Sequence, residues 1–298
     1  METLDAPALP DWLDAMVPFR RYAVRVGGRK MHVMEHGRGQ PVLMVHGNPS
    51  WGFLWRKVAQ RLDPERFRCI MPDLIGLGLS DKPRDLQTHT LENHSQWLGE
   101  LVDALDLDDV LLAVQDWGGP IGMLAMSTRG ERLSGIMLGN TAVSEPRPDF
   151  TPTAFHRFSQ MPVVSDLAFR VVGFPQIALG IAQGDSKSIS GEVARAYRWP
   201  LRSIRDRAAP LALARMVPDS MVHPSIAPLR RVREFLTDVD IPIRVVWGTN
   251  DPILGGVLGW VRKLRPDAPV RKTKAGHFLQ EEVPGPLAGA LRALADEQ

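Results

Sequence analysis

The sequence predicts an α/β protein: an eight-stranded, mostly parallel sheet flanked by helices, with a helical lobe inserted late in the chain. Three observations carry this. Short, nearly continuous apolar runs recur, as expected of strands buried on both faces. Segments with helical spacing lie between them. The alternation stops at Ser144 and resumes at Ile241.

Residues 22–26 and 31–36 alternate in polarity around Gly27-Gly28 and read as a hairpin. Residues 41–46 (PVLMVH) form the first buried run. Residues 68–72, 110–115, 135–141 and 243–247 read the same way, and 270–273 make a weaker last strand. Thr90 caps a helix whose Trp97, Leu98, Leu101, Val102 and Leu105 share one face. Pro120 opens a helix running to about Thr128, and 287–295 form a terminal one. Residues 144–233 hold many prolines, the aromatic Phe150, Phe155, Phe158, Phe169 and Phe174, and short helical patterns, one running from Ser190 through Ala194, Ala196 and Tyr197. That is too much large apolar surface for a disordered linker. The expected division is a core domain of 1–143 with 234–298, and a helical cap of 144–233.

Composition excludes several classes. The 298 residues carry 36 Lys and Arg against 34 Asp and Glu, a formal charge of +2, with 44% hydrophobic and 23% charged residues. Disorder and collagen-like repeats are set aside. The near-neutral balance gives no case for nucleic acid or an anionic membrane surface. Cys69 is the sole cysteine, so no internal disulfide or cysteine-based metal cluster is expected. Residues 1–19 contain Glu2, Asp5, Asp11 and Asp14 and no basic residue, unlike a secretory signal, and no run of about 18 apolar residues occurs, so a cytoplasmic protein is expected. His32 and His36 have no third ligand nearby in sequence. Asp73, Gly76 and Gly78 follow a strand, but the third glycine of a dinucleotide loop is missing. Neither a metal nor a cofactor is expected.

Four short motifs stand where strands end. In VLLAVQDWGGPIGM, residues 110–123, an apolar strand runs through Asp116 into Gly118, Gly119 and a helix. A sharp strand-to-helix turn is where α/β-hydrolases place a nucleophile, although Val114 stands where the common pattern has glycine. His46-Gly47-Asn48-Pro49 follows a buried strand and occupies the loop that supplies an oxyanion-hole N–H in such folds. Asp251 follows the strand at 243–247, and His277 lies in Ala275-Gly276-His277-Phe278 near the C-terminus. Each has a plain structural reading: a helix cap for Asp116, turn residues for Asn48 and Asp251, a surface histidine for His277. Together they follow the order nucleophile, acid, histidine of the α/β-hydrolases.

The stretches HGNPSWGFLWRKV (46–58), PDLIGLGLSDKP (72–83), VQDWGGPIGM (114–123) and AGHFLQEEVP (275–284) resemble the haloalkane dehalogenases. The likeness covers nearly the whole chain and is weak in the lobe, apart from Ala196-Tyr197-Arg198-Trp199-Pro200. It implies an α/β-hydrolase fold with an inserted helical cap. It further implies hydrolysis of haloalkanes to a primary alcohol, halide and a proton through a covalent alkyl-aspartate ester. Asp116 is then the nucleophile, His277 the general base and Asp251 the supporting acid. Asn48 and Trp117 become the halide donors through their side chains and the oxyanion hole through their main-chain N–H groups.

The residue types suit that chemistry. A carboxylate attacks saturated carbon without first losing a proton. Tryptophan is donor-only and asparagine offers two N–H donors, so both can receive a leaving anion. Many members of the family take their supporting acid from a Glu after the sixth strand. Asn140 stands there and cannot serve, and Glu145 lies further on, so Asp251 is the better acid. That set resembles the subfamily with an Asp-His-Asp triad and Asn-Trp donors. The implied partners are a small halogenated alkane, water and halide, with an oligomer left open. Phe150, Phe155 and Phe174 are pocket candidates. Trp51 and Trp55 read as packing, and His89, His94, His156 and His223 lack a catalytic context.

Alternatives remain on this scaffold. Epoxide hydrolysis uses the same Asp and His but needs lobe tyrosines to protonate the opening oxide. Only Tyr197 is available, since Tyr22 lies in the hairpin. Fluoroacetate-type enzymes resemble an Asp-Arg pattern, where this chain has Trp117. A coelenterazine-type luciferase shares the Asp-Trp turn.

Overall fold

The computed structural model describes residues 3–152 and 154–297, except for the side chain of His156. Met1 and Glu2 of the acidic start, and the side chain of His156, lie outside the described residues. The expected hairpin forms between β2 (Arg20–Val26) and β3 (Arg29–Gly37), antiparallel, with Val26 opposite Arg29. It continues a sheet whose other strands are β1 (Leu4–Asp5), β4 (Gln40–Val45), β5 (Phe67–Pro72), β6 (Val110–Asp116), β7 (Leu133–Thr141), β8 (Ile243–Gly248) and β9 (Val270–Thr273). The spatial order is β1-β2-β3-β5-β4-β6-β7-β8-β9. From β5 to β9 every pairing is parallel.

The sheet therefore has nine strands, not the eight expected. The addition, Leu4–Asp5 beside Tyr22 and Ala23, is two residues long, too short to show any alternation.

Among the described residues eight helices have seven or more residues: α1 (Leu91–Ala104), α2 (Gly118–Met126), α3 (Ala154–Gln160), α4 (Gly191–Arg198), α5 (Ala208–Arg215), α6 (Ile226–Asp238), α7 (Leu258–Leu264) and α8 (Pro284–Ala295). Thr90 Oγ1 accepts from Asn93 N at 3.1 Å, the cap expected of it. Helix α2 starts at Gly118, two residues before Pro120, directly from the end of β6.

The strands divide their side chains between two cores, as the period of two dictates. Leu112 and Val114 of β6 join α1, α2, α6 and α7 on one face. Leu111 and Ala113 join Trp55, Val58 and the Leu287, Leu291 and Leu294 stripe of α8 on the other. Each buried leucine contributes about 2 kcal/mol, so this stripe is a firm anchor for β6, β7 and β8. Cys69 is buried within β5, and that burial pushes its thiol up to about 12.

Between β7 and β8 the chain leaves the sheet. It forms α3 to α5 and several short 3-10 and π-helical turns. Helix α6 then returns, and its Leu229, Val232 and Leu236 pack into the sheet's own core.

Candidate active site

Strand β6 loses its register with β7 between Gln115 and Asp116, and Asp116 adopts a left-handed φ of 51°. A non-glycine residue in that region is strained and needs support. Thr141 Oγ1 supplies it by donating to Asp116 O at 2.6 Å. The turn carries the Asp116 side chain off the sheet, beside the loop after β4. There Asn48 N donates to Asp116 Oδ1 at 2.7 Å. Gly47 permits this approach, because a Cβ at 47 would collide with the Asp116 carboxylate. The main-chain N–H of Trp117 also bonds to Asp116.

The other carboxylate oxygen faces the histidine. His277 Nε2 lies 3.5 Å from Asp116 Oδ2, and His277 Nδ1 lies 3.0 Å from Asp251 Oδ2. Asp251 comes from the loop after β8, where its Oδ1 accepts from Ile253 N at 2.7 Å. The sequence thus brings Asp116, His277, Asp251 and Asn48 together from four loop ends of one sheet.

Electrostatics follow from burial and pairing. Burial pushes the Asp116 carboxyl up, despite the charge of His277 and the N–H groups of Trp117 and Asn48. A carboxylate held with so little solvation is the more reactive nucleophile. Burial also opposes the His277 cation, yet the hydrogen bond and charge of Asp251, aided by Asp116, hold its pKa above the ordinary value. Burial works against the Asp251 anion too, and its bonds to His277, Asn140 and Ile253 N overcome this and hold its pKa down. Asp251 therefore stays ionised and favours the imidazolium.

The Asn48 amide Nδ2 donates to Pro210 O at 3.0 Å, using one of its two N–H groups. Among the described residues no acceptor meets the indole N–H of Trp117. Asn48 and Trp117, whose main-chain N–H groups both bond to Asp116, thus each keep a side-chain donor with capacity to spare. Among the described residues no group of three or more His, Cys, Asp or Glu is placed to hold a metal, and no helix is long and apolar enough to cross a membrane.

The sequence and the fold match known proteins. The α/β-hydrolase-fold family model covers residues 40–284. Haloalkane dehalogenase 1 of Mycobacterium tuberculosis is 33% identical over 250 residues, spanning 81% of this chain and 79% of its own. The chain belongs to the haloalkane dehalogenase family. The crystal structure of a haloalkane dehalogenase from Agrobacterium tumefaciens superposes with a TM-score of 0.82 at 26% identity, over 94% of this chain and 97% of that one. A second kind of relative is cis-3-alkyl-4-alkyloxetan-2-one decarboxylase of Shewanella oneidensis, 31% identical over 283 residues, with 91% and 86% covered.

Two residues of this dehalogenase-family site escaped the sequence. Asn140, set aside as unable to act as an acid, donates from Nδ2 to Asp251 Oδ2 at 2.7 Å and to Gly248 O at 2.9 Å, while its Oδ1 accepts from Gly248 N at 2.7 Å. It fixes the Asp251 carboxylate in place. Gln115, fully buried, donates from Nε2 to His277 O at 3.1 Å and lies 3.3 Å from His277 Nε2. Its place immediately before Asp116 was the one available signal.

Other candidates have partners of their own or stand part-exposed. Glu145 is held by Arg233 at 3.1 Å and Arg230 at 3.5 Å. Phe174 packs edge-on to Phe158 and Phe169, Phe150 is half-buried, and Phe155 is 40% exposed. The dinucleotide-like loop is accounted for by Asp73, fully buried, which accepts from Gly52 N at 2.7 Å and Leu79 N at 2.6 Å and pairs with His32 at 2.9 Å.

Proposed function

We propose that the protein hydrolyses haloalkanes through an ester on Asp116. The observation that carries this reading is one carboxylate with divided surroundings: Oδ1 on the Asn48 N–H at 2.7 Å, Oδ2 at 3.5 Å from the His277 ring. In the first half Oδ2 attacks the carbon bearing the halogen. The carbon–halogen bond breaks and the halide leaves with its electron pair toward the Trp117 indole N–H and the second Asn48 amide N–H. The ester then carries Oδ1 as its carbonyl oxygen.

In the second half His277 Nε2 takes a proton from water as the water oxygen bonds to Asp116 Cγ. The oxyanion on Oδ1 is held by the main-chain N–H groups of Asn48 and Trp117. Collapse of this intermediate releases the alcohol and restores the carboxylate, and His277 returns the surplus proton to solvent. Alkylation itself prepares the base. Converting Asp116 to a neutral ester removes one of the two charges that favour imidazolium, so more of His277 stands in the neutral form that can take a proton.

Residues 144–233 are read as the cap over this site, with Phe174 and its aromatic neighbours in the wall of the substrate pocket. The Tyr197 hydroxyl argues against epoxide hydrolysis. It donates to Glu281 at 2.6 Å and its ring is buried between Phe53 and Phe278, so it has no free proton for an oxide. Light from coelenterazine under oxygen would mark the luciferase alternative.

The test is His277→Phe incubated with 1-bromobutane. One bromide per protein and a butyl mass increment on Asp116 are expected, without turnover. Absence of the adduct, with bromoalkane shown to bind, overturns the ester.

A second reading has a specific support, the long match to the oxetanone decarboxylase. Attack of Asp116 on the ring carbon bearing the ring oxygen would displace a carboxylate in place of halide. Loss of carbon dioxide from that β-acyloxy acid expels Asp116 and leaves an alkene, with no water consumed. A cis-3,4-dialkyl-oxetan-2-one giving alkene in the His277→Phe protein, together with no bromide from any bromoalkane in the wild type, would favour this reading over hydrolysis.

A further inference from the structure

The motif at 275–284 holds two adjacent glutamates that the chemistry above does not use, and both face the insertion. Glu281 accepts from Arg56 at 2.5 and 3.0 Å, pairs with Lys57 at 2.8 Å, and receives the Tyr197 hydroxyl of α4. Glu282 accepts from three main-chain N–H groups: Gly184 at 3.0 Å, Asp185 at 2.9 Å and Gly276 at 2.9 Å. It thereby ties residues 184–185 of the insertion to the residue before the histidine.

The contact then reaches the histidine itself. His277 N donates to Ala182 O at 2.8 Å. Gln183, buried, straddles the next residue. Its Oε1 accepts from Phe278 N at 2.8 Å, and its Nε2 donates to Phe278 O at 3.2 Å and to Ser188 Oγ at 3.0 Å. The two segments meet main chain to main chain, because a Cβ on Gly276 would collide with Ala182 O and the Gln183 Cα.

We infer that Gln183 is a positioning residue for the general base: the insertion supplies one side of the seat in which His277 sits. The other sides come from Asp251 at Nδ1 and Gln115 at the carbonyl. Gln183 reaches the base only through the main chain of Phe278, the residue after it. The inference rests on the ester reading and has a consequence peculiar to it. Alkylation of Asp116 does not use His277, whereas ester hydrolysis does. Displacing the base by about 1 Å costs about 100-fold in the step that needs it.

The experiment is a single-turnover comparison of wild type and Gln183→Leu with 1-bromobutane. Bromide release reports alkylation, and intact mass over time reports ester decay. Alkylation within about twofold of wild type and ester decay slowed about 10- to 100-fold are expected. Gln183→Glu, which keeps the acceptor for Phe278 N, should recover part of the loss. Equal slowing of both halves, the mark of a merely structural role, overturns the inference, and so does unchanged ester decay. If Gln183→Leu does not fold, Glu282→Ala releases the same segment and must give the same split. An ester trapped in His277→Phe but decaying normally in Gln183→Leu removes only the positioning role. No ester in either protein removes the reading beneath it.

Discussion

In the sheet domain the reactive groups stand on turns that a few neighbouring residues determine. In the insertion the residues that touch those groups come from irregular chain and long-range contacts. Asp116 owes its place to a left-handed turn braced by Thr141, and Asn48 to a glycine beside it. Pro210 and Gln183 reach the same site from segments of 3-10 and α-helix with no repeating pattern, and each meets a site residue through main-chain oxygen or amide. The difference teaches that residues 144–233 take part in building the site. They hold the side chain of Asn48 and the main chain of His277.

Predictions can break or sharpen that contrast. The largest concerns the sheet side. Asp251→Asn should slow ester hydrolysis about 10²- to 10⁴-fold, as loss of a triad carboxylate does elsewhere. Its sign with pH is also set. Asp251 holds the His277 pKa up, so removing its charge lowers that pKa. The neutral base then persists to lower pH, and the acid limb of the hydrolytic rate should move down as the plateau falls. Glu145→Gln, whose carboxylate is bound to Arg230 and Arg233, should leave both features in place. A profile moved by Glu145 and not by Asp251 would reassign the acid.

Next in size is the mooring of the insertion. Arg56→Met removes the bidentate partner of Glu281, a buried carboxylate, and should cost about 3 kcal/mol in denaturant unfolding. A change below about 1 kcal/mol would mean that Lys57 and Tyr197 alone satisfy the charge. The smallest effect should come from Tyr197→Phe. It deletes one hydrogen bond to that charge while keeping the ring between Phe53 and Phe278, for a loss of about 1.5 kcal/mol and near-normal bromide release. Loss of all turnover in Tyr197→Phe would instead make the hydroxyl part of the chemistry and revive epoxide opening.

Legibility divides along the same line. The strands at 110–115 and 243–247 are readable because burial on both faces leaves continuous apolar runs. Asp116, Asn48 and Asp251 are readable because each stands at a turn ending such a run, and His277 because it follows them in order behind the weaker strand at 270–273. Asn140 cannot serve as an acid, as its residue type dictates, but its contact with Asp251 was not legible, for a physical reason. Its value lies in meeting Asp251 across the ends of β7 and β8, a contact 111 residues apart that no local pattern records. Gln183 is a polar residue in a short 3-10 region, where period carries no signal, and only the packed loop reveals its partners. Leu4–Asp5 shows the lower limit, since two residues cannot display a strand's alternation.

The paired glutamates at 281 and 282 also constrain engineering by exchange. A foreign segment grafted between β7 and β8 would arrive without the tyrosine and the backbone amides those carboxylates meet, costing Glu281 one hydrogen bond and Glu282 two of its three. Chimeras that aim to trade substrate range should therefore carry the donor's own histidine loop with its lid, as a single exchangeable cassette.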